Sequence, residues 1–223
     1  MGTSMAFISI SNTGFTPQDL AKGMEHISNF SKSKTEEFYS SLAQFMSPEA
    51  FEQMKRETEE TMASFQKSMG LPPRERRPVI AFCETSKWLP LFEEHLCEGN
   101  ITSDDELKQL YALFRAPVLS FSIFDSDVLY ASYIDATQKI YNHAKPNSDG
   151  YEEYDTDRYS TDFPEFLLTL CNENEHENLR EIWESENYHF ADDRMHDICR
   201  LLNINTLYDS NDMPEGYQPI FGE

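Results

Sequence analysis

Two aspartates separated by a serine, Asp125 and Asp127, have residue types and a spacing that could do chemistry. In an extended chain, residues i and i+2 point to the same face, so both carboxylates could bind a divalent cation or assist hydrolysis. Asp135 and His143 follow on predicted neighbouring strands and could complete such a site. The same Asp-Ser-Asp composition also favours a tight turn that Asp125 caps. A metal-dependent hydrolase is therefore kept as an alternative, and no catalytic residue, metal or cofactor is predicted outright.

A second candidate is the acidic, tyrosine-rich loop predicted at residues 146–162. Tyrosine rings supply contact area at low entropic cost, and carboxylates pair with Lys or Arg of a partner. The order of acids does not follow the EF-hand pattern, so a calcium site is disfavoured. A solvated loop without a partner is the other interpretation. The predicted partner-binding residues are Asp149, Tyr151, Glu152, Glu153, Tyr154, Asp155, Asp157 and Tyr159.

Other motifs of enzymes are missing from the sequence. There is no Cys-x-x-Cys, no Gly-x-Ser-x-Gly and no glycine-rich phosphate loop, and the chain has only 8 Gly. His189 and His196 are seven residues apart, but spacing nominates no third metal ligand. These absences lower the expectation of catalysis without excluding a site assembled from distant residues.

Charge is distributed very unevenly along the 223 residues, whose net charge is −22. Residues 1–77 hold 9 basic and 10 acidic side chains, a net of −1, whereas residues 78–223 hold 9 and 30, a net of −21. Binding to nucleic acid or to anionic lipid requires Lys and Arg, so both partners are disfavoured. The acidity indicates either a soluble, self-repelling surface or a site that attracts a basic protein.

The four cysteines, Cys83, Cys97, Cys171 and Cys199, are widely spaced and predict free thiols in a reducing compartment. The first ten residues lack a basic segment and a long apolar core. We therefore expect a cytoplasmic protein without a membrane anchor.

Helical spacing dominates the first seventy residues. Thr16-Pro17 and Ser47-Pro48 are both N-cap signals, followed by apolar residues at three- and four-residue steps. The Met- and Phe-rich seam of the helix that begins after Ser47 favours internal packing or, alternatively, self-association through the N-terminal helices. We predict a helical segment at 1–73, a linker at 74–78 and an acidic α+β domain at 79–223.

Strand patterns follow the predicted linker. Val79–Cys83 and Trp88–Phe92 are short apolar runs, and Ser103 with Glu106 forms a capping signature before a helix that ends at Pro117. Residues 118–124, 128–134 and 139–143 predict three antiparallel strands in a meander, and three helices are expected between residues 163 and 202. The predicted fold class is α+β, with a helical N-terminal segment, a small antiparallel sheet and C-terminal helices.

From Ser120 to Ile204 the chain resembles an uncharacterised bacterial family. The matching elements are Asp125-Ser126-Asp127-Val128-Leu129 opening a hairpin, Phe190-Ala191-Asp192 starting a helix, and Leu201-Leu202-Asn203-Ile204 ending it. Similar small acidic proteins are often immunity proteins, which neutralise a toxin of the same bacterium. The resemblance implies no catalytic residues and does not cover the chain before residue 78.

The preferred expectation is a non-catalytic inhibitor of immunity type that binds a basic protein, such as a toxin, through its acidic part. The alternatives are the hydrolase at Asp125 and Asp127 and a DNA mimic that occupies a nuclease.

Overall fold

The structure, a computed structural model, describes residues 4–27, 46–54, 56–57, 61, 77–98, 101–147 and 158–222. Its centre is an antiparallel seven-stranded sheet, so the α+β class is confirmed, with a larger sheet than the sequence predicts. The strands are β1 Met5–Ser11, β2 Val79–Phe82, β3 Trp88–Phe92, β4 Val118–Phe124, β5 Val128–Ile134, β6 Ile140–Pro146 and β7 Gln218–Phe221, in the spatial order β6-β5-β4-β1-β3-β2-β7.

Helices cover both faces of the sheet. Those that cover it are α1 at 17–27, α3 Glu94–Cys97, α4 Asp104–Phe114, α5 His176–Glu184 and α6 Ala191–Leu202, with short 3₁₀ helices at Glu165–Thr169 and Glu173–Glu175, whereas α2 at 48–54 is largely exposed. The capping box predicted for α4 is confirmed, because Ser103 accepts from the backbone of Glu106 while the Glu106 carboxylate accepts from Ser103 N at 2.6 Å.

The chain begins with a strand, so the prediction of a helical N-terminal arrangement is wrong at residues 5–11. β1 lies between β4 and β3, with Phe7 opposite Phe121 and Ile8 opposite Leu91. The helix predicted after Thr16 is present as α1, and its apolar residues Leu20 and Met24 are buried. The expected linker at 74–78 falls mostly outside the described residues, and the division at that point stays a prediction.

The predicted meander of three strands is confirmed as β4, β5 and β6. Alternate residues of each strand point to opposite faces. One face, with Leu119, Phe121 and Ile123 of β4, packs against α5, α6 and the first 3₁₀ helix. The other face, with Val118 at its edge, packs against α1, α3 and α4. We call these the α5–α6 face and the α4 face.

Among the described strands, one edge of the sheet is the C-terminal strand β7, which pairs with β2 alone. Gly222 N donates to Pro78 O at 2.9 Å, so the alternation of an antiparallel ladder turns the backbone groups of Pro219 and Phe221 away from β2. Pro219 has no N–H, which removes a donor from the outer edge and opposes pairing with another chain.

Candidate functional site

Asp125, Ser126 and Asp127 form the turn between β4 and β5. Asp125 and Ser126 both have left-handed backbone conformations, with φ of 52° and 62°, and Asp127 N donates to Phe124 O at 3.0 Å. Two consecutive left-handed residues are typical of a type I′ hairpin turn. The premise of an extended Asp-Ser-Asp pair is therefore wrong, and the turn interpretation is the one the backbone supports.

Asp135 lies at the other end of β5 and is not brought together with the first two aspartates. Asp127 precedes and Asp135 follows a seven-residue strand, so their Cα atoms are about 26 Å apart at about 3.3 Å per residue. Its carboxylate accepts from Thr137 N at 2.8 Å, Thr137 Oγ1 at 2.6 Å and Lys139 N at 3.0 Å. The Thr137 hydroxyl is the main cause that lowers the pKa of Asp135. This carboxylate closes the β5–β6 turn.

His143 stands in the middle of β6, beside Ala131 of β5. Its Nδ1 lies 3.1 Å from the carbonyl of Asp162, and burial lowers the pKa of the imidazole. His143 is therefore placed neither with Asp125 and Asp127 nor with Asp135. Within the described ranges, no group of three or more His, Cys, Asp or Glu side chains could hold a metal ion.

Most of the predicted partner-binding loop, from Asp149 to Asp157, lies outside the described residues. Tyr159 is described, and its ring packs edge-on against Tyr130 with centroids 4.7 Å apart. Ser160 then bonds to β6, because Ala144 N donates to Ser160 O at 2.9 Å. The C-terminal end of the loop is thereby attached to the β6 edge of the sheet, with the Tyr159 ring against Tyr130.

An acidic surface that the sequence analysis missed lies on α5. Glu177, Glu181 and Glu184 are exposed and recur at steps of four and three residues, while Leu179 and Trp183 of the same helix are buried against the sheet. That spacing places the three carboxylates in one outward stripe. Further exposed acids flank it, and together they form the surface we call the acidic helix face: Glu173, Glu177, Glu181, Glu184, Glu186 and Asp193.

The arginines of α5 and α6 do not neutralise this stripe. Nη2 of Arg180 donates to both carboxylate oxygens of Glu165, at 2.8 and 2.9 Å, and the guanidinium stacks on the Phe163 ring. Arg200 pairs with Asp197 at 3.1 Å. Arg194 is completely buried, and its guanidinium donates to Ser185 O at 2.7 Å. None of the three arginines therefore pairs with Glu177, Glu181 or Glu184, whereas Glu186 of the acidic helix face pairs with Lys145 at 3.0 Å.

Phe190 is an exposed apolar ring beside the acidic helix face. Its side chain is 55% exposed at the N-cap of α6, between Glu186 and Asp193 in sequence. The backbone around it is held firmly, since Ala191 N donates to Ser126 O at 2.9 Å and Asn147 Nδ2 donates to His189 O at 3.0 Å. An exposed ring on a hydrogen-bonded stretch of backbone, close in sequence to carboxylates, is suited to contact a partner.

The other titratable groups on and next to these helices are buried or hydrogen-bonded within the fold. Burial, followed by a 2.6 Å hydrogen bond from its hydroxyl to Asp197, raises the pKa of Tyr188 to about 12. Burial alone raises the pKa of the Cys199 thiol to about 12. His196 hydrogen-bonds to Tyr208, and no described residue completes a metal site with it. All four cysteines are free thiols, as predicted.

The α5 stripe had a signal in the sequence. Acids at i, i+4 and i+7 opposite Leu179 and Trp183 are visible in the residue order, whereas the engagement of the arginines is a tertiary feature. The density of acids beyond residue 149 favoured the loop rather than the helix.

The described helices include none with the length and apolar character needed to cross a membrane. Comparisons of the chain with protein-family models, with curated proteins and with solved structures find no significant match.

Proposed function

We propose that this protein is a non-catalytic binding protein that captures a basic protein through its acidic C-terminal part. In the immunity-type form of this proposal, the partner is a basic toxin that the complex neutralises. The observation that carries the proposal is the stripe of Glu177, Glu181 and Glu184, which no arginine of its own helix layer pairs with.

The physical case combines long-range and short-range terms. A surface of one sign accelerates the encounter with an oppositely charged partner, and this gain falls as salt screens it. Rim charges mainly affect the association rate, while buried aromatic contacts slow dissociation. The acidic helix face supplies the first term, and Phe190 supplies a ring for the second.

The stripe also has a cost that supports a role in binding. Like charges four residues apart on a helix are destabilising, by about 0.2–0.5 kcal/mol per pair. Glu177 and Glu181 stand at that spacing, and Glu181 and Glu184 are also neighbours on the helix surface. A helix selected for stability alone would place a Lys or Arg in this stripe.

The test begins with capture of partners from the producing cells, followed by binding measurements on each purified partner. The triple variant Glu177→Gln/Glu181→Gln/Glu184→Gln removes the stripe. Its matched control, Glu25→Gln/Glu84→Gln/Glu215→Gln, removes three exposed carboxylates elsewhere. We expect the stripe variant to lower the association rate roughly tenfold or more at low salt and the control to change it little.

Two results would contradict the proposal: recovery of acidic or neutral partners only, or equal rates for the stripe and control variants. Addition of duplex DNA separates the DNA-mimic alternative. Competition by duplex would place the partner among nucleic-acid-binding proteins, whereas its absence would leave an ordinary protein interface.

A further inference from the structure

A cleft on the α4 face is independent of the acidic helix face, which lies on the other side of the sheet. Helix α4 packs over Val118 of β4 and its partner Ile134 of β5. Tyr111 of α4 reaches the β5–β6 turn, where its hydroxyl donates to Ala136 O at 3.1 Å. The N-terminus of α4 lies beside the middle of β6, where Asn142 Nδ2 donates to Asp104 Oδ1 at 2.7 Å. The hairpin end of β4 and β5 therefore extends beyond the helix.

The cleft has a volume of about 760 Å³, within the size range of small-molecule sites. Three aromatic rings line it, those of Phe124, Tyr130 and Tyr159. The Tyr130 side chain is almost completely buried, while Phe124 is 36% exposed. These rings provide apolar surface for the body of a ligand.

Charged groups of both signs surround the rings. Asp105 and Lys108 form an ion pair with each other at 3.2 Å. Asp104 receives its hydrogen bond from Asn142 through one oxygen only, among the contacts of the described residues. Arg158 forms no ion pair or hydrogen bond with any other part of the chain that the structure describes. Within the described part of the chain, one carboxylate oxygen and one guanidinium thus remain available for a ligand.

The chemistry of the ligand follows by elimination. A simple organic cation would face Arg158 and Lys108, and a dianion such as a phosphate ester would face Asp104, Asp105 and a chain of net charge −22. A zwitterion with an apolar body meets neither obstacle. Its ammonium group can pair with Asp104, its carboxylate with Arg158, and its apolar body can lie on the rings.

We propose that this cleft binds a free α-amino acid with a large apolar side chain. L-phenylalanine is the probe, and its binding is followed by calorimetry and by ligand-observed NMR. Phenylalaninamide, which lacks the carboxylate, and N-acetylphenylalanine, which lacks the ammonium group, test the two poles separately. We expect L-phenylalanine to bind the wild-type protein at least tenfold more tightly than either derivative, with a Kd on the order of 1 mM or below.

Two variants test which residue binds the carboxylate of the ligand and which binds its ammonium group. Arg158→Gln should weaken L-phenylalanine about tenfold and should not weaken phenylalaninamide, because the amide has no carboxylate to pair with Arg158. Asp104→Asn keeps an oxygen that can accept from Asn142, and should weaken L-phenylalanine without weakening N-acetylphenylalanine, which has no ammonium group to pair with Asp104. Arg115→Gln and Asp212→Asn are matched controls outside the cleft, and thermal unfolding checks that every variant is folded.

Three results would overturn the proposal. The first is no binding of L-phenylalanine at about 10 mM, which is well above the expected Kd. The second is equal binding by the cleft and control variants, which would place the ligand elsewhere. The third is equal affinity of wild type for L-phenylalanine and one of its derivatives, which would exclude a zwitterion. None of these results bears on capture of a basic protein.

Discussion

Gly23 of α1 faces the ring of Phe114 at the end of α4. A Cβ atom added to Gly23 would overlap that ring, so the missing side chain is what lets the two helices approach each other here. Phe114 is itself buried and packs edge-on against Phe15, with ring centroids 6.5 Å apart. The ring therefore has little room to move aside.

Gly23→Ala should destabilise the protein by about 1–2 kcal/mol, because overpacking costs about 1–3 kcal/mol. The sign is diagnostic, since helix propensity alone predicts a gain of about 1 kcal/mol for the same change. Denaturant unfolding measures the effect. The double variant Gly23→Ala/Phe114→Leu should lose less than the sum of its two single variants. A more stable Gly23→Ala would mean that the helices do not pack as described.

At the scale of elements, the Asp125–Asp127 turn joins the sheet to α6. Ser126 O accepts from Ala191 N, and Asp127 O accepts from Asn147 N at 2.8 Å. These are backbone carbonyls, so the connection depends on the turn conformation rather than on the carboxylates. The left-handed conformation of Ser126 is one that glycine adopts more easily.

Ser126→Gly should therefore stabilise the protein by about 0.5 kcal/mol, since relief of left-handed strain exceeds the added entropy of the unfolded chain. Thermal unfolding should show a rise in Tm of about 1–2 °C for a chain of this size. Ala136→Gly, in the β5–β6 turn where φ is negative, is the control and should lower stability. A loss of stability at Ser126→Gly would indicate that its side chain has a role in the native state.

At the scale of the whole molecule, the net charge of −22 opposes the compact state. Raising the ionic strength from about 0.01 M to about 0.15 M shortens the Debye length from about 30 Å to about 8 Å. Tm should consequently rise over this range. A flat salt dependence would mean that local ion pairs offset the repulsion.

The stripe variant Glu177→Gln/Glu181→Gln/Glu184→Gln should be more stable than wild type by about 0.5 kcal/mol at low salt. Its gain should shrink as salt is added, and the control triple at Glu25, Glu84 and Glu215 should gain less. Stability that rises while association slows would separate the binding role of the stripe from a structural one. A destabilised stripe variant would contradict this expectation.

Local features were predictable from the residue order. The capping box of Ser103 and Glu106, the helix after Thr16 and the β4–β5–β6 meander depend on contacts between near neighbours in the chain. Such contacts leave a direct periodic or compositional signal. For the same reason the spacing of the α5 acids was already present in the sequence.

The tertiary structure decided what depends on distant residues. The strand character of Met5–Ser11 arises from pairing with β3 and β4, which lie far along the chain, so the segment's own short pattern did not reveal it. The separation of Asp127 from Asp135, the engagement of Arg180 by Glu165, and the cleft between α4 and Tyr159 were likewise not readable from composition. The sequence by itself determined an acidic α+β protein with most of its charge after residue 77, because charge and local periodicity belong to the chain. Only the tertiary structure decided which of those charges remain available to a partner, because packing and ion pairing are set by residues that meet through the fold.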